Sequence, residues 1–119
     1  MKTCGKDYEN RAEEILSTGG LEIIARNFAT KTGEIDIICK DERTLVFVEV
    51  RARSNARFAS AAASVDKRKQ QRLVRTAQMF LQSNKQWSKF SCRFDVIAFD
   101  PRQFERSESA TWIRSAFTA

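Results

Sequence analysis

The sequence predicts an α/β domain: a central mixed β-sheet flanked by α-helices. Two segments carry apolar residues at helical spacing. Several short runs are rich in β-branched and aromatic residues. They follow one another as helix, three strands, helix, strand, strand, which suits helices packed on a mixed sheet. With 119 residues, 42% hydrophobic and 30% charged, the chain is expected to form a single domain over 1–119, with its core at about 6–117.

The elements are predicted in order. Lys6 to Ser17 is a helix, with Ala12, Ile15 and Leu16 as its apolar stripe, and Gly19-Gly20 ends it. Leu21 to Phe28 is a first strand. Thr32-Gly33 is a turn, and Glu34 to Cys39 is a second strand. The polar segment Lys40 to Thr44 turns the chain into a third strand, Leu45 to Val50. Arg51 to Ala63 reads as a basic loop. Ser64 or Asp66 caps a helix to about Ser83, with Leu73, Ala77, Phe80 and Leu81 on its buried face. Cys92 to Phe99 is a fourth strand, stopped by Asp100-Pro101, and Trp112-Ile113 adds a short edge strand.

Composition narrows the chemistry. The chain has no histidine, which removes Ser-His-Asp and Cys-His nucleophiles, His-ligated zinc and histidine bases together. Cys4, Cys39 and Cys92 are too few and too scattered for a disulfide framework or a thiolate zinc site. Cys39 and Cys92 are read as reduced core residues. Neither a secretory h-region nor a membrane-length apolar run is present, so a cytoplasmic location with no membrane partner is expected.

The net charge of +6 is concentrated. Residues 1–50 carry 7 basic and 10 acidic side chains, whereas residues 51–75 carry 8 basic and 1 acidic. The block comprises Arg51, Arg53, Arg57, Lys67, Arg68, Lys69, Arg72 and Arg75. It reads either as a polyanion-binding face beside an acidic half, or as a solvated helix face plus a basic loop.

The hairpin from Gly33 to Arg51 brings carboxylates together. Strand side chains alternate faces. A turn centred between Glu42 and Arg43 sets Asp36 opposite Glu49 and Glu34 opposite Arg51, with opposed Cβ atoms about 4.5–5.5 Å apart. Two such carboxylates repel each other between apolar neighbours (Ile35 and Ile37, Val48 and Val50) unless a cation sits between them. Magnesium suits few carboxylates and several waters. Spacing alone leaves a second arrangement open, in which Asp36 pairs with Arg51 and Glu49 with another base.

Gly33-Glu34-Ile35-Asp36-Ile37-Ile38 followed by Val46-Phe47-Val48-Glu49-Val50-Arg51 resembles the YraN family of predicted bacterial nucleases, within the restriction-endonuclease-like superfamily. Glu9, Ala12 and Leu16, Gly20 and Asn27, Val65 to Leu73, and Arg93 to Ile97 extend the resemblance over roughly residues 8–117. It implies a restriction-endonuclease-like fold and a Mg2+- or Mn2+-dependent endonuclease that hydrolyses phosphodiester bonds. Asp36 and Glu49 would hold the metal, with Glu9 as an accessory acid from the first helix and Glu34 in support. Lys69 and Gln70 would approach from the basic helix.

The superfamily's usual lysine is Arg51 here. Arginine stays charged and cannot act as a base, but it can position a water and stabilise transition-state charge. The expected partner is nucleic acid, DNA ahead of RNA, bound through Arg53, Arg57, Lys67, Arg68, Lys69, Gln70, Arg72 and Arg75. Structure-selective action on branched DNA follows by analogy with similar folds. The alternative is a non-catalytic nucleic-acid-binding or adaptor protein that keeps the fold. A homodimer or a protein partner is compatible with either reading.

Overall fold

The computed structural model describes residues 5–52, 65–100 and 110–119. Helix α1 spans Gly5–Thr18. Strands β1 (Glu22–Thr30), β2 (Gly33–Asp41) and β3 (Thr44–Ala52) follow. Helix α2 (Lys67–Ser83) leads through a 3-10 turn at Lys85–Trp87 into β4 (Ser91–Phe99), and β5 (Ala110–Phe117) is the last element. The five strands lie in sequence order in one sheet, β1-β2-β3-β4-β5. All neighbours are antiparallel except β3 and β4, which are parallel and joined through α2. The result is a mixed sheet with a helix on each face, an α/β architecture consistent with the restriction-endonuclease-like fold.

Local chemistry sets the boundaries. At the end of α1, Leu21 N donates to Leu16 O at 3.1 Å and Gly20 N to Ser17 O at 3.0 Å, with Gly20 at φ +93°. This is the paired closure that a left-handed glycine after a helix permits. At α2, Asp66 is the cap, and its Oδ1 accepts from Lys69 N at 2.9 Å. The alternative cap, Ser64, lies outside the described residues. The β2–β3 turn is centred on Glu42 and Arg43, and its ladder runs from Asp41 opposite Thr44 to Ile37 opposite Val48.

Each helix covers its own core. Tyr8, Ala12 and Leu16 of α1 pack with Ile37, Cys39, Val46 and Val48. Leu73, Ala77 and Phe80 of α2 pack with Ile38, Leu45, Phe47 and Val96 on the opposite layer. Leu81 is only partly buried there, while Thr76 is fully buried. Two expectations need correction. Cys92 is exposed, because β4 enters the core only from Phe94 onward. The last strand is eight residues long rather than a short piece around Trp112.

The β1–β2 turn docks on α2 through threonines. Thr76 Oγ1 donates to Arg72 O at 2.8 Å and lies 2.9 Å from Thr32 Oγ1. Beside it Gly33 has φ +148°, and a Cβ there would lie 3.3 Å from Thr76 Oγ1. Gly33→Ala should therefore lower Tm by roughly 5 °C, the shift that ~1 kcal/mol produces in a domain of this size. An unchanged melting curve by circular dichroism would show that the turn can lift off α2.

Candidate active site

The regular alternation of β2 fails at Asp36. Ile37 packs in the layer under α1, but Ile35, two residues away, packs in the layer under α2. Residues two apart on a strand normally share a face. Across the sheet, β1 is irregular at the same level: Asn27, between the partners of Ile35 and Ile37, has φ 53°, a conformation asparagine tolerates. The β2–β3 ladder also ends at Ile37, one step short of Asp36 and Glu49. Asp36 thus sits where β2 parts from β3, and its Oδ2 accepts from Val50 N at 2.8 Å.

Burial pushes the Asp36 carboxyl up to about 7, the Glu49 and Glu9 carboxylates push it the same way, and the Val50 amide opposes them. Among the described residues Asp36 has no cationic partner. Its neighbours do. Glu49 is only 4% exposed, and its Oε2 meets Lys69 Nζ at 3.2 Å and Arg51 Nη1 at 3.3 Å. Glu9 Oε1 meets Arg26 Nη2 at 3.3 Å, and Asn10 Oδ1 accepts from Arg26 Nη1 at 2.7 Å.

Glu9, Glu34 and Asp36 also place one carboxylate oxygen each within 4.8 Å of one another. Asp36 therefore belongs to two groupings, one with Glu49 and one with Glu9 and Glu34. Glu34 had been expected opposite Arg51, but the ladder stops before that pair and Glu34 turns to the α1 side. Arg26 is a residue that sequence reasoning missed. Its 17-residue separation from Glu9 crosses from strand to helix, so no local pattern announces the contact.

The basic residues of α2 divide between two hollows. Arg68, Lys69 and Arg72 line a pocket of about 290 Å³ with Arg51 and Asp66, beside Glu49. Lys67, Gln70 and Arg75 line a separate groove that ends at Phe117. Gln70 Nε2 donates to Val65 O at 2.9 Å, so its amide ties the helix back to the residue before its cap rather than reaching the carboxylates. Arg53 and Arg57 lie outside the described residues. Tyr8 is a core side chain, its ring 5.4 Å from that of Phe99.

Residues 8–99 match the family described as uncharacterised protein family UPF0102. That span includes every carboxylate and cation of the site. The chain belongs to the UPF0102 family. The resemblance to YraN proteins seen in the sequence is membership of this same family. A UPF0102 protein of Saccharophagus degradans is 48% identical over 114 residues, covering 96% of this chain and 92% of the relative. One from Methylobacillus flagellatus is 45% identical over 119 residues, the full length of both. One from Pseudomonas fluorescens is 43% identical over 113 residues, 95% of this chain and 91% of the relative.

The UPF0102 site has the donor set of a hard divalent cation. Its clustered acids offer only carboxylate oxygens, a donor type that suits magnesium or manganese rather than a soft metal. Burial first, and the neighbouring carboxylates second, raise the Asp36 carboxyl, and a cation placed there would oppose both. Asp36 and Glu49 could hold such an ion, with Glu9 and Glu34 close enough to Asp36 to contribute from the α1 side. Among the described residues no helix is long and apolar enough to cross a membrane.

Proposed function

We propose that the chain is a metal-dependent endonuclease that hydrolyses phosphodiester bonds in DNA. The observation that carries this reading is the convergence of Asp36 and Glu49 at a break in the sheet, with Asp36 uncompensated and a cationic pocket next to them. A backbone phosphate entering from the pocket side would meet Arg51, Lys69, Arg68 and Arg72 before it reached the carboxylates. Arg51 remains charged throughout, so its part is to hold the phosphate and stabilise the extra charge of the transition state. A bound magnesium or manganese ion would supply Lewis-acid polarisation of the phosphate and activation of the attacking water. The Val50 amide fixes one oxygen of Asp36 and so aims the other. Affinity should come mainly from phosphate neutralisation and fall steeply with salt.

The test is cleavage of labelled single-stranded, duplex, flap and four-way-junction DNA, each with magnesium, manganese or EDTA. Cutting that needs the ion is the expected result, and the preferred substrate shape comes from the same panel. A second reading, a binding protein without catalysis, is favoured by one observation: Arg51 and Lys69 already neutralise Glu49. Calorimetry separates the two. No uptake of either ion, with DNA bound and uncut, would establish the binding-only reading.

A further inference from the structure

The pocket beside Glu49 has a feature that the proposed hydrolysis does not require. Of its four cations, Arg51 and Lys69 are engaged by Glu49, while Arg68 and Arg72 have no carboxylate partner among the described residues. Asp66, the one acid in the lining, is occupied as the cap of α2. Counting Asp66 and the adjacent Glu49 against Arg51, Arg68, Lys69 and Arg72 leaves a surplus of two positive charges around a pocket of about 290 Å³. That surplus is of the order of the charge on a single phosphate group. Guanidinium groups also match the geometry of phosphate oxygens better than ammonium groups do.

We infer that this pocket is a subsite for a single phosphate group of a nucleic-acid strand, and that Glu49 gates it by competing for Arg51 and Lys69. With Glu49 free of other ligands, its two cations turn toward the carboxylate and the pocket offers only Arg68 and Arg72 at full strength. When the Glu49 carboxylate is taken up by another cation, its hold on Arg51 and Lys69 is released and phosphate in the pocket binds more tightly. Linkage makes the effect reciprocal: phosphate in the pocket should weaken the hold of Arg51 and Lys69 on Glu49 and leave that carboxylate freer for a cation. The inference deepens the nuclease reading and rests on it for the nature of the strand. The pocket itself can be tested without any cleavage.

The experiment is a titration with inorganic phosphate in EDTA, followed by calorimetry and by the arginine side-chain NMR signals. Wild type should bind weakly and saturably. Arg72→Gln and Arg68→Gln, both at exposed positions, should each weaken binding by about tenfold. Glu49→Gln, checked for folding by circular dichroism, should tighten it at least about threefold although no ion is present. Weaker or unchanged binding in Glu49→Gln would overturn the gating, and phosphate binding indifferent to Arg68 and Arg72 would overturn the subsite. Two dinucleotides then identify the source. One carries a 5′-phosphate and the other only its internal diester. Preference for the first assigns the pocket to a strand end, and equal competition assigns it to the backbone. Failure of both to compete with inorganic phosphate would overturn the assignment to a strand. A chain that binds phosphate as described yet cuts no DNA would sink the nuclease reading and leave the subsite standing.

Discussion

Asp36→Asn should abolish ion-dependent cleavage and, in EDTA, make the protein more stable at neutral pH. The two effects have one cause. Asp36 is half-buried, faces Glu49 and Glu9, and has its carboxyl held up to about 7, against an ordinary value of 3.8. Below pH 4 the group is protonated whether the chain is folded or not, so it contributes no pH dependence. Between pH 4 and 7 the unfolded chain releases the proton and the folded chain keeps it, so stability falls as pH rises. Above 7 both states are ionised and the full penalty remains. Asparagine mimics the protonated form: its oxygen can still accept from Val50 N, and it carries no charge. The variant should match wild type near pH 4 and melt at least ~4 °C higher at pH 8 in EDTA, the shift expected from ~1 kcal/mol. Magnesium should raise the Tm of wild type alone. Cleavage should drop by at least about 10²-fold, the scale seen when a group that stabilises transition-state charge is removed. A variant no more stable than wild type at pH 8 would mean that Asp36 has a compensating partner in solution.

Asp95→Ala should be among the most damaging substitutions in the molecule, and it lies away from the carboxylates. Asp95 is completely buried in β4. Its Oδ1 accepts from Ser115 N at 2.9 Å and its Oδ2 from Trp112 Nε1 at 3.0 Å. Arg93 Nε donates to both oxygens, at 3.1 and 3.3 Å, while Arg93 Nη1 reaches Asp41 Oδ2 at 3.0 Å. Ser115 has φ 51°, and the β4–β5 register shifts between Phe94 and Val96, so this carboxylate fastens an irregular stretch of the edge strand. Alanine would leave the Arg93 Nε–H, an indole N–H and a backbone N–H without their acceptor, with Arg93 held by Asp41 alone. Breaking a buried charge pair in this way costs about 3–5 kcal/mol, a large share of a typical domain's total. The expected fall in Tm is at least ~10 °C. Asp95→Asn, which keeps acceptors for Trp112 and Ser115, should lose less. Equal melting of Asp95→Ala and wild type in urea or heat would show that β5 is held by other contacts.

Much of this fold was legible because its signals are local. Glycines after α1, an aspartate cap before α2 and a polar two-residue turn at Glu42 and Arg43 each act on their own neighbours, and the hairpin register follows from the turn. The parts that escaped depend on contacts between distant segments. The break at Asp36 depends on how β1, β2 and β3 diverge, whereas the sequence there shows unbroken apolar alternation. Spacing only puts Lys69 off the buried face of its helix and the family resemblance alone points it at the site, because the packing of α2 on the sheet is what brings its ammonium group to Glu49. Cys92 looked like core because it adjoins apolar residues, yet β4 starts outside the core. The length of β5 was hidden by Arg114 and Ser115, whose exposure reflects the bulge that Asp95 stabilises.

The parallel pairing of β3 with β4 orders events as the chain folds. The three strands β1, β2 and β3 are joined by tight turns and can zip together through contacts close in sequence. The β3–β4 pairing must wait for a crossover that spans Lys67–Ser83 and the segments on either side of it. Asp36 and Glu49 belong to the early meander, whereas Lys69, Arg68 and Arg72 arrive with the late crossover. During synthesis the carboxylates and Arg51 would therefore exist before the cations of α2. The nascent hairpin from Gly33 to Arg51 carries five acidic and three basic side chains, and charges of both signs on its exposed strands discourage pairing with neighbouring chains until α2 docks.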